Sequence, residues 1–187
     1  IDEIADFAGL KAEISAITER AMRGELDFAD ALRYRVSLLR GLPVDTLDRV
    51  YVERVRLMPG ARALVQTMRR HGAMTALVSG GFTFFTDRVA LRAGFETSAA
   101  NTLESEDGKL TGTVAEPILG REAKLNMLLS LRERHGLKPE DTLAVGDGAN
   151  DLGMILEAGL GVAYHAKPVV AAAAGARIDH NDLTALL

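Results

Sequence analysis

The chain contains no cysteine and no tryptophan, and aromatic residues make up only 5% of its 187 positions. The absence of cysteine excludes a disulfide scaffold, a thiolate metal site and a cysteine nucleophile. No apolar run approaches the roughly 20 residues that a helix needs to cross a bilayer, so we expect no membrane partner. Positive charge is not in excess either. The chain has 22 Lys and Arg and 26 Asp and Glu, which gives a formal net charge of −4. That balance argues against a nucleic-acid partner.

The remaining composition is that of an ordinary folded protein, with 48% apolar and 26% charged residues. The length suits one domain, or one domain that carries a sizeable insertion. A cysteine-free chain is compatible with a reducing cytoplasm, where we expect the protein to act. Nothing in the composition indicates an oligomeric state.

The first part of the chain, residues 1–57, has the pattern of helices only. Apolar residues recur at helical spacing, as at Ile4, Phe7 and Ala8. Asp27 is a predicted N-cap for one helix, and Asp45 is a predicted start for the next. Short helices with short connections predict a small helical bundle.

From Pro59 onward, predicted strands and helices alternate. The strands are expected at Thr75–Val78, Thr142–Val145, Gly161–Tyr164 and Ala176–Ile178, and the helices at Ala61–His71, Thr83–Ala93, Arg121–His135, Asp151–Ala158 and Pro168–Ala174. Asp107-Gly108, within Asn101–Val114, predicts a tight hairpin that interrupts the alternation. The expected fold of residues 58–187 is therefore α/β, a doubly wound parallel sheet with an inserted β-hairpin.

Ser79-Gly80-Gly81 follows the first predicted strand and precedes a helix. Ligands of open parallel sheets lie beyond the carboxyl ends of the strands. Glycines allow backbone N–H groups to approach an anion, and a helix N-terminus adds a favourable dipole. The segment is therefore a candidate phosphate seat, and the alternative is a plain strand-to-helix turn.

A second polar loop follows the strand Thr142–Val145 and contains Asp147, Asn150 and Asp151 between glycines. Hard oxygen ligands at the end of a strand suit Mg²⁺. The alternative is an Asp- and Asn-rich turn that caps the next helix. Lys124 lies in the first turn of its predicted helix, where a cation is locally unfavourable. It is a candidate phosphate contact, and the alternative is a solvated lysine.

Taken in chain order, these motifs resemble those of the haloacid dehalogenase superfamily. Within it, Val78–Phe82, Asp107–Gly112 and Val145–Asp151 look most like the phosphoserine phosphatases, and Ile1–Ala5 and Arg35–Leu39 look like the helical cap of that family. The resemblance covers the whole chain. It implies a Rossmann-type core over residues 58–187, a helical cap over residues 1–57, and Mg²⁺-dependent hydrolysis of phosphoserine, the last step of serine biosynthesis.

The resemblance also implies roles for individual core residues. Ser79, with the backbone of Gly80, would bind the transferring phosphoryl group, and Lys124 would pair with the phosphate and the nucleophile. Asp147 would bind Mg²⁺. Asp151 would support the metal shell or Lys124, and Asn150 would contact the substrate or its phosphate.

In the cap, the resemblance implies that Arg35 binds the carboxylate of phosphoserine. A guanidinium suits this role because its fork of donors matches a carboxylate with two parallel hydrogen bonds. Met22 and Phe28 would form an apolar wall of the substrate site, and the alternative is that both belong to the core of the cap.

One family motif has no match in the sequence. The family nucleophile is the first Asp of an Asp-x-Asp motif on a strand before the cap, and the second Asp is the general acid. The chain opens with Ile1, already inside the cap-like segment, so we expect the motif to lie upstream. Two alternatives stay open: a phosphatase or phosphotransferase for another small phosphomonoester, and a catalytically silent phosphate-binding protein if Ile1 is the true start.

Overall fold

A computed structural model describes residues 1–22, 25–120 and 122–187. The chain folds into two compact units. The first unit contains Ile1–Arg56, Ser79–Val89 and Ser98–Gly120, and the second contains Leu57–Val78, Ala90–Thr97 and Arg121–Leu187. In the described part of the chain, every helix is too short or too polar to span a membrane.

The helices are α1 Asp2–Ala8, α2 Lys11–Met22, α3 Phe28–Ser37, α4 Asp45–Arg54, α5 Ala61–Arg70, α6 Thr83–Ala93, α7 Ala123–Arg134, α8 Leu152–Glu157 and α9 Pro168–Ala173. The strands are β1 Ala76–Phe82, β2 Thr97–Asn101, β3 Leu103–Glu106, β4 Lys109–Val114, β5 Leu143–Gly146, β6 Leu160–Tyr164 and β7 Ala176–Ile178. Single 3₁₀ turns occur at Pro139–Asp141, Ala149–Asp151 and Leu183–Leu186.

The core of the first unit is built from the apolar faces of α1 to α4. Leu32, Val36 and Leu39 recur at intervals of four and three residues and are all almost fully buried. The start of α3 is as expected, because the Asp27 carboxylate accepts a hydrogen bond from the backbone N–H of Ala29 at 2.8 Å. The helical pattern of the first part of the sequence is thus confirmed.

The inserted hairpin is also confirmed. Strands β3 and β4 pair antiparallel, and Asp107 and Gly108 join them with positive φ angles of 49° and 75°, as a tight primed turn requires. The hairpin is bound to the segment after α3, because Gly41 N–H donates to the carbonyl of Leu110 at 2.8 Å and Leu110 N–H donates to that of Leu42 at 2.9 Å. The hairpin therefore belongs to the helical unit.

The sheet of the second unit has the strand order β5-β6-β7, and its strands are parallel. On one face, Ala163 of β6 packs with Ile155 of α8 and Val170 of α9. On the other face, Val162 of β6 packs in a cluster with Leu183 and other apolar residues. A parallel sheet covered on both faces is the α/β arrangement that the alternating pattern predicted.

Several predicted boundaries were wrong. The first strand does not end at Val78 but continues to Phe82 as β1, because neither Gly80 nor Gly81 adopts the positive φ that would turn the chain. The helix predicted at Arg121–His135 is α7, Ala123–Arg134, and the predicted start at Arg121 lies outside the described residues. Strand β2, which pairs with β1, was not predicted, because its sequence Thr-Ser-Ala-Ala-Asn lacks the large β-formers that mark a strand.

Candidate active site

The loop after β5 turns around the carboxylate of Asp151. The backbone N–H groups of Asp147 and Gly148 donate to Oδ2 of Asp151 at 2.9 and 3.1 Å. Gly146 passes so close that a Cβ there would lie 2.5 Å from the Asp151 side chain. The Asp151 carboxylate therefore holds the loop in place by accepting its backbone N–H groups. Position 146 has to be glycine because any side chain there would clash with Asp151.

Lys124 is the charged partner of Asp151. Its Nζ donates to Oδ1 of Asp151, and the two side chains are only 15% and 2% exposed. Burial works to raise the pKa of the Asp151 carboxyl, but the hydrogen bonds from Lys124 and the backbone of Gly148 and Asp147 outweigh burial and hold that pKa below its ordinary value. Asp151 is thus ionised at neutral pH and fixes the Lys124 ammonium, whose remaining hydrogens have no other acceptor among the described residues.

Asp147 and Asn150 lie on the outer side of the same loop. Both residues are exposed, and the Asp147 carboxylate has no hydrogen-bond or ion-pair partner among the described residues. Its backbone carbonyl accepts the N–H of Lys167 at 3.0 Å, which fixes the main chain at that point. Asp147 is therefore the carboxylate of this loop that is available to a ligand, whereas Asp151 is not.

The donors fit a Mg²⁺ ion that is bound mainly by water and substrate. Among the described residues, no group of three or more His, Asp or Glu side chains is arranged to hold a metal. Mg²⁺ does not need such a cage, because it commonly keeps several waters and binds through one or two carboxylates together with substrate phosphate. The single available carboxylate of Asp147 meets that requirement, and Asp151 does not compete for the ion because its negative charge is already paired with Lys124.

In the first unit, Ser79 lies within strand β1 and is partly buried. Its Oγ accepts the backbone N–H of Gly81 at 3.0 Å. Because that hydrogen bond uses a lone pair, the hydroxyl hydrogen of Ser79 remains available to donate. A hydroxyl donor whose oxygen is held by a hydrogen bond is suited to an anionic ligand, and the role of this segment as a phosphate seat stays a prediction.

Phe28 lies beside two glycine segments of the first unit. Its ring is within 3.7 Å of the position that a Cβ would take at Gly80 and within 3.6 Å of the corresponding position at Gly120. The side chain remains 37% exposed. Phe28 is therefore placed to shield the backbone at Gly80, although the role of a substrate wall stays a prediction. The other predicted wall residue, Met22, ends α2, and its side chain lies outside the described residues.

Arg35, in the last turn of α3, is oriented by two hydrogen bonds. Its Nε donates to the carbonyl of Ala31 at 3.1 Å, and its Nη1 donates to Oγ1 of Thr18 at 3.2 Å. Thr18 in turn donates to the carbonyl of Ile14 at 2.9 Å. Burial lowers the pKa of Arg35, an effect that the nearby Asp2 opposes, and a guanidinium stays charged at any physiological pH. Nη2 has no acceptor among the described residues and is available for a carboxylate.

Asn101 is a polar residue of this region that sequence reasoning missed. It ends β2, is only 2% exposed, and its side chain binds the backbone of Gly80 and Leu119. The only local signal was an asparagine at the edge of the predicted hairpin segment, which is also common in ordinary turns.

Comparisons with known proteins agree on one family. The family profile of the haloacid dehalogenase-like hydrolases matches residues 3–156. A phosphoserine phosphatase of Polaromonas sp. is 50% identical over the whole chain, which covers 81% of that protein. Those of Archaeoglobus fulgidus and Haemophilus influenzae are 45% and 46% identical, and the chain spans 54% and 59% of their lengths.

Solved structures give the same result. A probable phosphoserine phosphatase from Vibrio cholerae superposes with a TM-score of 0.91 at 44% identity, covering 99% of this chain and 57% of that one. A substrate-bound phosphoserine phosphatase complex superposes with a TM-score of 0.87 at 39% identity, covering 99% of this chain and 88% of that one.

Proposed function

Because this chain belongs to the haloacid dehalogenase-like hydrolase family, we propose that the protein hydrolyses O-phospho-L-serine to L-serine and inorganic phosphate. The observation that carries the proposal is the end-to-end match, at 50% identity, to a phosphoserine phosphatase of which the chain covers 81%. The proposed compartment is the cytoplasm, since substrate and product are small intermediates of amino-acid biosynthesis.

The proposed reaction proceeds in two steps. In the first, the carboxylate of the nucleophilic Asp attacks phosphorus and forms an aspartyl-phosphate. The bond between phosphorus and the serine oxygen breaks, and a general acid protonates that oxygen. Water then attacks the aspartyl-phosphate and releases phosphate. Both carboxyl groups belong to the Asp-x-Asp motif, which has no match in residues 1–187, so each activity test below uses the full-length protein.

Ser79 and Lys124 are proposed to stabilise the negative charge of the phosphoryl group. The Ser79 hydroxyl has its oxygen occupied by Gly81 N–H and its hydrogen available. The Lys124 ammonium is fixed by the buried carboxylate of Asp151. Groups that are already oriented toward developing charge accelerate transfer because nothing has to reorganise during the reaction.

Mg²⁺ is the proposed cofactor, and Asp147 is the residue that would hold it. The support is the exposed Asp147 carboxylate, which has no partner among the described residues. When bound, Mg²⁺ supplies positive charge to the phosphoryl oxygens. Asn150, exposed on the same loop, is proposed to contact the substrate, and Asp151 serves to orient Lys124.

The helical segment 1–57 is proposed to act as a cap that selects the substrate. Arg35 would bind the substrate carboxylate through Nη2, since its Nε and Nη1 are occupied by Ala31 and Thr18. Phe28 and Met22 would exclude water from the reacting group. Closure of such a cap protects the first step, and opening releases the products.

Substitution of Arg35 should change substrate selectivity rather than chemistry. In Arg35→Ala, we expect kcat/KM for phosphoserine to fall about 100-fold, because a charge-assisted hydrogen bond to a carboxylate contributes roughly 2–3 kcal/mol. We expect kcat/KM for O-phosphoethanolamine, which lacks the carboxylate, to change by less than about 3-fold. Steady-state assays on both substrates measure the difference.

The matched control for Arg35→Ala is Arg33→Ala on the same helix. Arg33 forms exposed ion pairs with Glu116 and Asp30, and such pairs contribute little. The Arg33 variant should keep the selectivity of the unmodified protein. Equal losses on both substrates in Arg35→Ala would contradict the proposed role.

The test of the proposed function is phosphate release from L-phosphoserine with and without Mg²⁺. Phosphothreonine, phosphohomoserine and p-nitrophenyl phosphate complete the substrate panel. Mg²⁺-dependent release with the highest kcat/KM for phosphoserine is the expected result. Preference for another phosphomonoester would overturn the proposed substrate, and lack of release from every substrate would overturn the enzymatic function.

A further inference from the structure

We propose that Asn101 is a positioning residue that aims the Ser79 hydroxyl at the phosphoryl group. The inference rests on the proposed function, within which no role is assigned to Asn101. It starts from burial: the Asn101 side chain is polar yet only 2% exposed, and a buried amide has to find hydrogen-bond partners.

Within the described part of the chain, the partners of the Asn101 side chain are all backbone groups of two glycine-containing segments. Nδ2 donates to the carbonyl of Gly80 at 3.2 Å and to that of Leu119 at 3.3 Å. Oδ1 accepts the N–H of Leu119 at 2.8 Å. Both donors and one acceptor position of the amide are therefore used, and the side chain ties the segment at Ser79–Gly81 to the segment at Leu119–Gly120.

The hydrogen bond from Asn101 to the Gly80 carbonyl affects Ser79 through the peptide group that joins Gly80 to Gly81. A trans peptide is planar, and its C=O and N–H point in opposite directions. The C=O of Gly80 and the N–H of Gly81 belong to the same peptide plane. When Asn101 holds the Gly80 carbonyl on one side, the Gly81 N–H is directed to the other side, where it donates to Ser79 Oγ at 3.0 Å.

Glycine alone would not hold this peptide in one orientation, because glycines have the widest choice of backbone angles. A Cβ at Gly81 would lie 3.1 Å from Ser79 Oγ, so a side chain there would press on the serine oxygen. The two glycines lie in β1, whose pairing with β2 restricts the strand, and the hydrogen bond from the buried Asn101 amide adds a direct restraint on the Gly80 carbonyl. Asn101 thus acts through Ser79, without touching the substrate.

The test is a double-mutant cycle in the full-length protein. Asn101→Asp keeps the side-chain shape and the acceptor for Leu119 N–H, but as a carboxylate it cannot donate to the carbonyls of Gly80 and Leu119. We expect Ser79→Ala to lower kcat about 100-fold, as loss of one transition-state donor does, and Asn101→Asp to lower kcat about 10-fold with KM changed less than about 3-fold. In the double variant we expect no loss beyond that of Ser79→Ala, because the amide has nothing left to orient.

The control is Asn126→Asp, which makes the same change at an exposed position of α7 and should leave kcat unchanged. Asn101→Ser, neutral and smaller, repeats the cycle if a buried carboxylate prevents folding, and thermal melts verify that each variant is folded. A kcat within 2-fold of the unmodified protein in a folded Asn101 variant would overturn the proposal. The proposal would also be overturned if the fold-losses in kcat of the two single variants multiplied in the double variant, because independent effects indicate a merely structural role of Asn101.

The cycle is measured on p-nitrophenyl phosphate as well as on phosphoserine. Ser79 is assigned to the phosphoryl group and not to the serine moiety, so the coupling should be present with both substrates. If the protein hydrolyses only p-nitrophenyl phosphate, the proposed substrate fails while the cycle still decides the role of Asn101. If phosphoserine is hydrolysed and the coupling is absent, the role of Asn101 fails alone.

Discussion

Asp147→Asn in the full-length protein should lower kcat for phosphoserine about 1,000-fold. The asparagine keeps the shape of the side chain and removes the charge, and Asp147 is the carboxylate of its loop that has no partner in the described structure. Loss of a metal that stabilises transition-state charge costs several kcal/mol, and about 4 kcal/mol corresponds to 1,000-fold. Phosphate-release assays over a range of Mg²⁺ concentrations measure the loss.

A binding measurement separates the metal site from the chemistry. Mg²⁺ should raise the melting temperature of the unmodified protein, because a ligand that binds only the folded state stabilises it. It should not do so for Asp147→Asn. The control is Asp179→Asn, which removes an exposed carboxylate that follows strand β7 and pairs with Arg177, and which should leave turnover and the Mg²⁺ effect in place. Unchanged turnover in Asp147→Asn would exclude Asp147 as the metal ligand.

Lys124→Met is the second substitution for which we expect a large effect, because it should lower both kcat and the free energy of unfolding. The phosphoryl group loses a positive partner, for which we expect a fall in kcat of about 1,000-fold. Asp151, with its side chain 2% exposed, is left as a buried charge without its partner. Breaking a buried ion pair from one side costs about 3 kcal/mol or more. Steady-state kinetics and chemical denaturation measure the two losses.

A second substitution distinguishes the two causes. In Lys124→Met/Asp151→Asn, no unpaired buried charge remains, so we expect part of the stability to return while the activity stays lost. Lys138→Met is the control, because Lys138 and its partner Glu140 are 76% and 68% exposed and such a pair contributes little. A double variant less stable than Lys124→Met would contradict the account of Asp151 as an unpaired charge.

The same pair predicts a pH dependence of stability. Folding lowers the pKa of Asp151 through Lys124 and the loop backbone, against the effect of burial. The carboxylate therefore stabilises the fold above its unfolded pKa of about 4, and the contribution is lost as the pH falls through the lower folded pKa. The free energy of unfolding of the unmodified protein should decrease over that acidic range. An Asp151→Asn variant should show a shallower decrease.

Much of the fold was predictable because the signals were local. Asp27 and Asp107-Gly108 act within two or three residues of themselves, through a capping hydrogen bond and a turn with positive φ. Strand β2 was missed for the same reason, since its small and polar residues have no local preference for a strand. Its position comes from pairing with β1.

For the candidate site too, some features follow from the sequence and others only from the tertiary structure. The sequence alone predicted that Ser79, Lys124, Asp147 and Asp151 carry the motif chemistry, because residue types and chain order suffice to recognise the motifs. Only the tertiary structure decided that Asp151 is the buried partner of Lys124, 27 residues away, while Asp147 is the carboxylate available to a ligand. It also showed that the buried Asn101 side chain donates to the carbonyl of Gly80, 21 residues away. Burial and pairing depend on which segments the folded chain brings together, and no local pattern contains that information.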